Sequence, residues 1–495
     1  MGEQQSSYRQ IMKATSIFGG VQVLNILIQL IRSKVIAVLL GPAGIGIMGL
    51  LQTSIIMMVY GTNFGLGTSA VRDISEAGTA KDSERLAQTV GVFRKLVWIT
   101  GLLGMGVTIA LSPLLSRVTF GNYDYTLGFV VLAVTVLLTQ LSAGQLVLLQ
   151  GLRKTVWLAK ATLYGSVFGL LCSVPMYYFF GNDGIIPAMV LTALTLYGVQ
   201  YWFANKIEIH RSGVSLKGAL VQGKTMMKLG FILSVSALIT VAASYLIRIF
   251  IGHTGGIEQV GLYNAGFAII GTYVGLVFAA MATDYYPRLS AVAHSNEKSS
   301  TVINHQAELA LLILGPIIMV FLVFIKWLIV VLYSEQFIPV NDMILYAALG
   351  MFFKSASWAI GFIFLAKGAS RLFFWNELVY SFYTLGLNMA GYYLLGLTGM
   401  GISFLVAYLL YLIQVYFVAR HRYGFSFSSD FVKIFVIQVL LAVLCLIAVK
   451  STEGAWPYIF GGVLIMASTY HAYRELDKRL SLEPLLASLF GRLKR

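Results

Sequence analysis

The chain has 495 residues, 58% of them hydrophobic and only 11% charged, with a mean hydropathy of +0.81. A soluble domain carries about 25% charged residues, so this charge is too sparse to cover a water-facing surface. The net charge of +15 would point to nucleic acid in a soluble protein. Here the excess Lys and Arg read as cytoplasmic loops, and no nucleic-acid partner is expected.

The chain opens on a polar stretch, MGEQQSSYRQIMKATSIFGG, that runs into a long apolar segment. No A-x-A-like site follows a short apolar stretch, so this reads as an uncleaved first span. A span needs about 20 mostly apolar residues to cross roughly 30 Å of hydrocarbon. That ruler places spans at 15–39, 45–70, 91–112, 127–149, 157–180, 185–204, 229–251, 259–284, 307–331, 343–366, 372–395, 399–419, 431–449 and 456–472. Barrel strands are shorter and alternate in polarity, so the expected class is an all-α polytopic membrane protein of about 14 transmembrane helices. External loops such as GPAG, FGNDG and GLTGM are short, which leaves no room for a sizeable extracytoplasmic domain. Cys172 and Cys445 sit in apolar runs, and neither a disulfide nor a cysteine metal site is expected.

With the N-terminus inside, 28 of the 35 Lys and Arg fall in cytoplasmic segments and only Arg117, Lys326 and Lys450 in external ones. The positive-inside rule then puts both termini in the cytoplasm. Four anchors repeat at an offset of 215–217: Arg32 with Arg248, Gly46 with Gly261, Arg72 with Arg288, and Gly151 with Gly368. The repeat holds six spans, an even number, so its copies are expected as two six-helix lobes in parallel repeat. Residues 1–205 form the N-terminal lobe, 206–228 a cytoplasmic linker and 229–422 the C-terminal lobe. Residues 423–495 add two extra helices and a basic tail.

Charged residues inside spans cost about 2.5–3.5 kcal/mol each on insertion scales and usually face a cavity or a partner. The first helix of each lobe carries a polar stripe ending in Arg: Gln22, Asn25, Gln29 and Arg32, then Ser236, Thr240, Ser244 and Arg248. Spacings of three and four put each stripe on one face; either both Arg residues line a cavity or each snorkels to the outer interface, which leaves the polar stripe unexplained. Lys34 lies about 200° around the helix from Arg32, where snorkelling to the interface accounts for it. Lys354 sits mid-span, where snorkelling is hardest, on a face shared with Gly350, Ser357, Trp358 and Gly361. Either a functional cavity or a buried acidic partner explains it. Asp73, Asp284 and Glu377 lie nearer the cytoplasmic ends and are the candidates for ion coupling or for pairing with loop cations. The deep charge is thus positive, which favours an anion such as phosphate. No H-E-x-x-H, Walker loop or nucleophile elbow appears, so no catalytic residue, metal or cofactor is expected.

The segments RSKVIAVLLGPAGIGIMGLLQ, LVLLQGLRKT, DYYPRLSAVAH and LGMFFKSASWAIGFIFLAKGASRLFFWNE resemble Wzx-type O-antigen and common-antigen flippases. These form the polysaccharide-transport branch of the multidrug/oligosaccharidyl-lipid/polysaccharide exporter superfamily. The resemblance runs from about residue 12 to residue 422. It implies a bacterial inner-membrane protein of the lipopolysaccharide or surface-polysaccharide pathways. Such a protein carries an undecaprenyl-diphosphate-linked oligosaccharide from the cytoplasmic to the periplasmic leaflet by alternating access. Lys34, Arg248 and Lys354 match the family's cationic sites. Arg32 joins them from the polar stripe alone, with Asn25, Gln29, Thr240, Ser244 and Trp358 as cavity lining. A polysaccharide polymerase and a chain-length regulator are the protein partners such a flippase implies. An ion-coupled drug exporter of the same superfamily and a membrane polymerase or ligase are the competing readings. Scarce mid-membrane carboxylates weigh against the first, and the lack of a large external loop against the second.

Overall fold

The computed structural model describes residues 3–79, 83–207, 209, 213–271 and 275–480. Among these, every regular element is helical. In chain order the helices are α1 (Glu3–Thr62), α2 (Leu66–Thr79), α3 (Ser83–Ala110), α4 (Ser112–Phe120), α5 (Thr126–Gly151), α6 (Thr155–Phe180), α7 (Ile185–Ala204) and α8 (Leu216–Gln222). They continue as α9 (Lys224–Gly255), α10 (Ile257–Ile269), α11 (Gly275–Ala291), α12 (Asn296–Leu332), α13 (Asn341–Ala366), α14 (Ser370–Tyr423), α15 (Ser429–Ser451) and α16 (Trp456–Leu480). Nine helical segments among the described residues are long and apolar enough to cross a bilayer, and three of these are bent or doubled. The segments expected at 259–284 and 456–472 fall on α10, α11 and α16, which fall short by that measure.

Where the sequence predicts loops at GPAG and GLTGM, the chain instead turns on single residues. Gly41 (φ 63°) breaks the 60-residue α1, and Gly396 (φ 59°) breaks the 54-residue α14. Only a residue without Cβ enters that backbone region cheaply. Pro42 then opens the second leg of α1, where its missing N–H costs nothing.

The described residues form two compact units: Met1–Gly261 with Leu332–Ser334, and Leu262–Val331 with Glu335–Arg495. The two halves of the chain repeat in backbone conformation at a constant spacing. Positive φ at Gly41, Arg153 and Gly181 recurs at Gly256, Gly368 and Gly396, each pair 215 residues apart. Helices α5 and α13 share a length of 26 residues in the same register. Both end in the same closure: Lys154 N–H donates to Leu149 O at 2.8 Å, and Ala369 N–H to Phe364 O at 2.8 Å. This register corrects two sequence pairings. The partner of Gly368 is Arg153, not Gly151. Counted back from the breaks at Gly41 and Gly256, Arg248 falls at Ser33, between Arg32 and Lys34. One residue is about 100° of helix rotation, so Arg32 and Arg248 are near-equivalent rather than equivalent.

Within the first unit, α9 packs on α1, α2 and α4. Tyr245, almost wholly buried, bonds to Thr119 of α4 and Ser54 of α1. Ser234 donates to Asn63 at 2.8 Å, and His253 Nε2 lies 3.0 Å from Val118 O. A methyl group on Gly65 would stand 1.9 Å from Gly230 O, so both backbones need glycine there.

In the second unit, α13 is the inner helix: 72% of its apolar window is buried, against 28% for α14. Helices α15 and α16 belong to this unit through polar anchors. Lys450 pairs with Asp342 at 3.0 Å, Ser468 donates to Gln438 at 2.7 Å, and Trp327 donates to Tyr458 at 2.8 Å. At the other end Arg479 reaches the buried Glu308 at 3.0 Å, which also accepts from Ser428 at 2.8 Å. Residues 481–495 of the basic tail lie outside the described residues.

Candidate functional site

Lys354 lies midway along the innermost helix of its unit. Its ammonium faces three rings: Tyr408 at 5.3 Å, Phe278 at 5.8 Å and Phe404 at 5.9 Å. Among the described residues, no carboxylate pairs with it. Ring faces carry negative quadrupole potential and hold a cation without neutralising it.

The small residues of α13 explain how the rings get there. A methyl group on Gly350 would stand 2.7 Å from Phe404, so glycine admits that ring. The face that the sequence reads as small and polar is therefore packed with aromatic side chains of α14. Trp358, one turn from Lys354, has its ring centroid 5.3 Å from that of Phe278, 5.5 Å from Tyr285 and 5.2 Å from Phe362, the last edge to face.

The same α14 face continues into a cluster of tyrosines. Tyr380 lies 4.6 Å from Tyr411 and 5.5 Å from Tyr408. Tyr411 donates to Glu377, which is half-buried in this cluster. Lys354 and Glu377 thus stand at two ends of one aromatic and hydroxyl assembly within the second unit. Asp284 is placed differently: it pairs with Arg288, one turn on, at 3.0 Å on an exposed surface. Asp73 lies on α2 beyond the expected span, where burial pushes its carboxyl up against the opposing pull of Arg72.

The cations of the first unit sit on α1 and α9, which pack together. Arg248 folds back along its own stripe and donates to Ser244 O at 2.9 Å and to the Ser244 hydroxyl. Arg32 and Lys34 are half-buried, Gln29 and Thr240 exposed. Asn25 is buried with its Oδ1 unpaired among the described residues. The side chains of Gln22 and Ser236 lie outside the described residues.

Sequence reasoning missed the rings around Lys354. The signal was present: Phe404, Tyr408 and Tyr411 recur at spacings of four and three, one face of a helix. Taken alone, such a stripe reads as core packing.

Residues 35–342, more than half of the chain, match the family described as "Polysaccharide biosynthesis protein". The chain belongs to that family. It is 21% identical to the lipid III flippase of Escherichia coli (strain K12) over 359 residues, covering 70% of this chain and 83% of that one. The lipid II flippase MurJ in an inward closed conformation superposes with a TM-score of 0.71 at 13% identity, over 93% of this chain and 99% of that one. An inward-facing multidrug resistance MATE transporter of the MOP superfamily superposes with a TM-score of 0.66 at 18% identity, over 81% and 94%. At such identities the likeness is one of fold: a member of the polysaccharide biosynthesis family has the helical architecture of these membrane transporters.

Proposed function

We propose that this family member is a flippase for a lipid-linked oligosaccharide. The substrate is an undecaprenyl-diphosphate-linked repeat unit of an O-antigen or similar surface polysaccharide, moved from the cytoplasmic to the periplasmic leaflet of the inner membrane. The observation that carries the reading is Lys354: a mid-span cation surrounded by rings and with no carboxylate partner among the described residues. Burying an uncompensated charge is costly, and an arriving diphosphate repays that cost through charge-assisted hydrogen bonds. The names of the similar proteins, lipid III flippase and lipid II flippase, support the same substrate class.

In this reading the chain crosses the bilayer about fourteen times with both termini in the cytoplasm. Its lobes, residues 1–205 and 229–422, alternate access to the diphosphate. Arg248, Lys34 and Arg32 supply further positive charge, and Asn25, Gln29, Thr240, Ser244 and Trp358 line the path. Glu377 is the foremost candidate for ion coupling, with Asp284 and Asp73 behind it. The protein acts as a transporter rather than an enzyme, handing its cargo to a polysaccharide polymerase and chain-length regulator.

The test is complementation of bacterial strains that each lack a different glycan flippase. Restored surface glycan in one of them names the repeat unit and supports the reading. No restoration in any strain, together with cation-dependent export of hydrophobic drugs, replaces it with a drug exporter.

A further inference from the structure

A cavity of about 550 Å³ opens in the first unit between α3, α5 and α7. Its polar lining comes from Arg94 and Lys95 of α3, Gln145 of α5, and Tyr197, Tyr201 and Asn205 at the end of α7. Among the described residues that line it there is no carboxylate. Arg94 stands beside Tyr197, and Lys95 reaches across to the carbonyl of Val214. Trp98 and Tyr201, both about half exposed, stand at its rim. Next to it Lys206 rests 3.4 Å above the ring of Trp202. Exposed aromatic rings with lysine beside them mark the level of the bilayer interface.

The repeat shows that the polarity at Arg94, Lys95, Gln145 and Tyr197 is not required by the fold. Advancing Arg94, Gln145 and Tyr197 by the 215-residue spacing leads to Leu309, Ile360 and Leu412. Lys95 likewise leads to Ala310, whereas Tyr201 and Asn205 lead to Tyr416 and Arg420, so four of the six polar lining positions are apolar in the second half of the chain. The first half holds two cations, two amides and two phenols across the six. Such a set matches one chemistry: a singly or doubly charged oxyanion that accepts several hydrogen bonds, attached to something apolar that leaves past Trp98.

We propose that this cavity binds the phosphate headgroup of an anionic phospholipid of the surrounding membrane. The phosphate lies against Arg94 and Lys95, Gln145 and Asn205 donate to its oxygens, and an acyl chain emerges along Trp98. The site lies at the end of α3 that the positive-inside rule places in the cytoplasm, where anionic lipids raise the local concentration of such headgroups. It is separate from the transport reading and stands or falls without it.

The test uses the full chain in nanodiscs of mixed phosphatidylglycerol and phosphatidylcholine, released into native mass spectrometry. The wild type should retain phosphatidylglycerol in preference to phosphatidylcholine. Arg94→Gln and Gln145→Glu should each cut that retention at least five-fold, while Arg94→Lys keeps most of it. Gln145→Glu changes charge at almost constant shape, so it isolates electrostatics from packing. Equal retention in wild type and both variants overturns the site, as does equal retention of the two lipids. Millimolar inorganic phosphate that displaces phosphatidylglycerol, or protects against heat as well as it does, overturns the lipid assignment in favour of a free anion.

Discussion

Gly46 and Gly261 pack backbone against backbone: a methyl group on Gly261 would stand 3.0 Å from Gly46 N and 1.8 Å from Pro42 O. The two glycines are also 215 residues apart, the spacing of the repeat. Backbone cannot yield as a side-chain tip does, and overpacking costs about 1–3 kcal/mol. Gly261→Ala should lower the melting temperature of the purified protein by several degrees. Gly252→Ala, whose methyl would meet Val260 at an ordinary 3.4 Å, should leave it unchanged or slightly raised.

Arg153 holds φ at 54°, where its repeat partner Gly368 holds 69°. A side chain in that region costs about 1–2 kcal/mol, partly offset by the unfolded-state freedom that glycine adds. Arg153→Gly should therefore stabilise the protein by about 0.5–1 kcal/mol, and Gly368→Ala should destabilise it by about as much. Chemical denaturation in detergent measures both, and a loss of stability in Arg153→Gly would contradict the assignment.

The rings around Lys354 give a graded series. Tyr408→Phe keeps the face and should transport at near wild-type rates. Tyr408→Leu and Phe404→Leu remove a face worth about 1–2 kcal/mol when desolvated. Each should weaken apparent substrate affinity roughly five- to thirty-fold. A pyrophosphate-competition assay reads this directly. Equal affinity across the series means that the rings only fill space.

Hydrogen bonds from Lys478 and Arg479 hold the Glu475 carboxyl down at about 2, against its ordinary 4.5. A depressed carboxylate adds stability above its unfolded value and loses it as the pH falls toward the folded value. Glu475→Gln should thus cost roughly 1–2 kcal/mol at pH 7. The gap to wild type should close between about pH 4.5 and pH 2. Melting curves of both proteins across that range check the sign; a gap that widens on acidification would contradict it.

Much of the helical architecture was legible because lipid imposes a strong rule. Backbone polar groups must close within helices, so hydropathy outlines the elements. The repeat was also visible, but its register was not. Side-chain identities such as Gly151 and Arg32 drift by a residue or two, while positive φ at Gly41, Arg153 and Gly181 recurs at a constant spacing. That spacing is a backbone property, and Arg153 conceals it because nothing in an arginine announces a left-handed conformation. At the site, the mid-span position of Lys354 could be counted along the chain. Its rings could not, because Phe278 and Phe404 come from other helices, and stripes of aromatics at helical spacing usually mean core.

The central claim is that Lys354 serves as an anion site in a lipid-linked glycan flippase. The most direct measurement is flipping of an undecaprenyl-diphosphate oligosaccharide in proteoliposomes, recorded together with the amount of protein inserted. Lys354→Arg should keep substantial flipping, Lys354→Ala should lose most of it, and Lys354→Glu should lose it all, each at normal abundance. Full flipping by Lys354→Ala at normal abundance would remove this residue from the mechanism. Losses that merely follow protein abundance would assign it to stability alone.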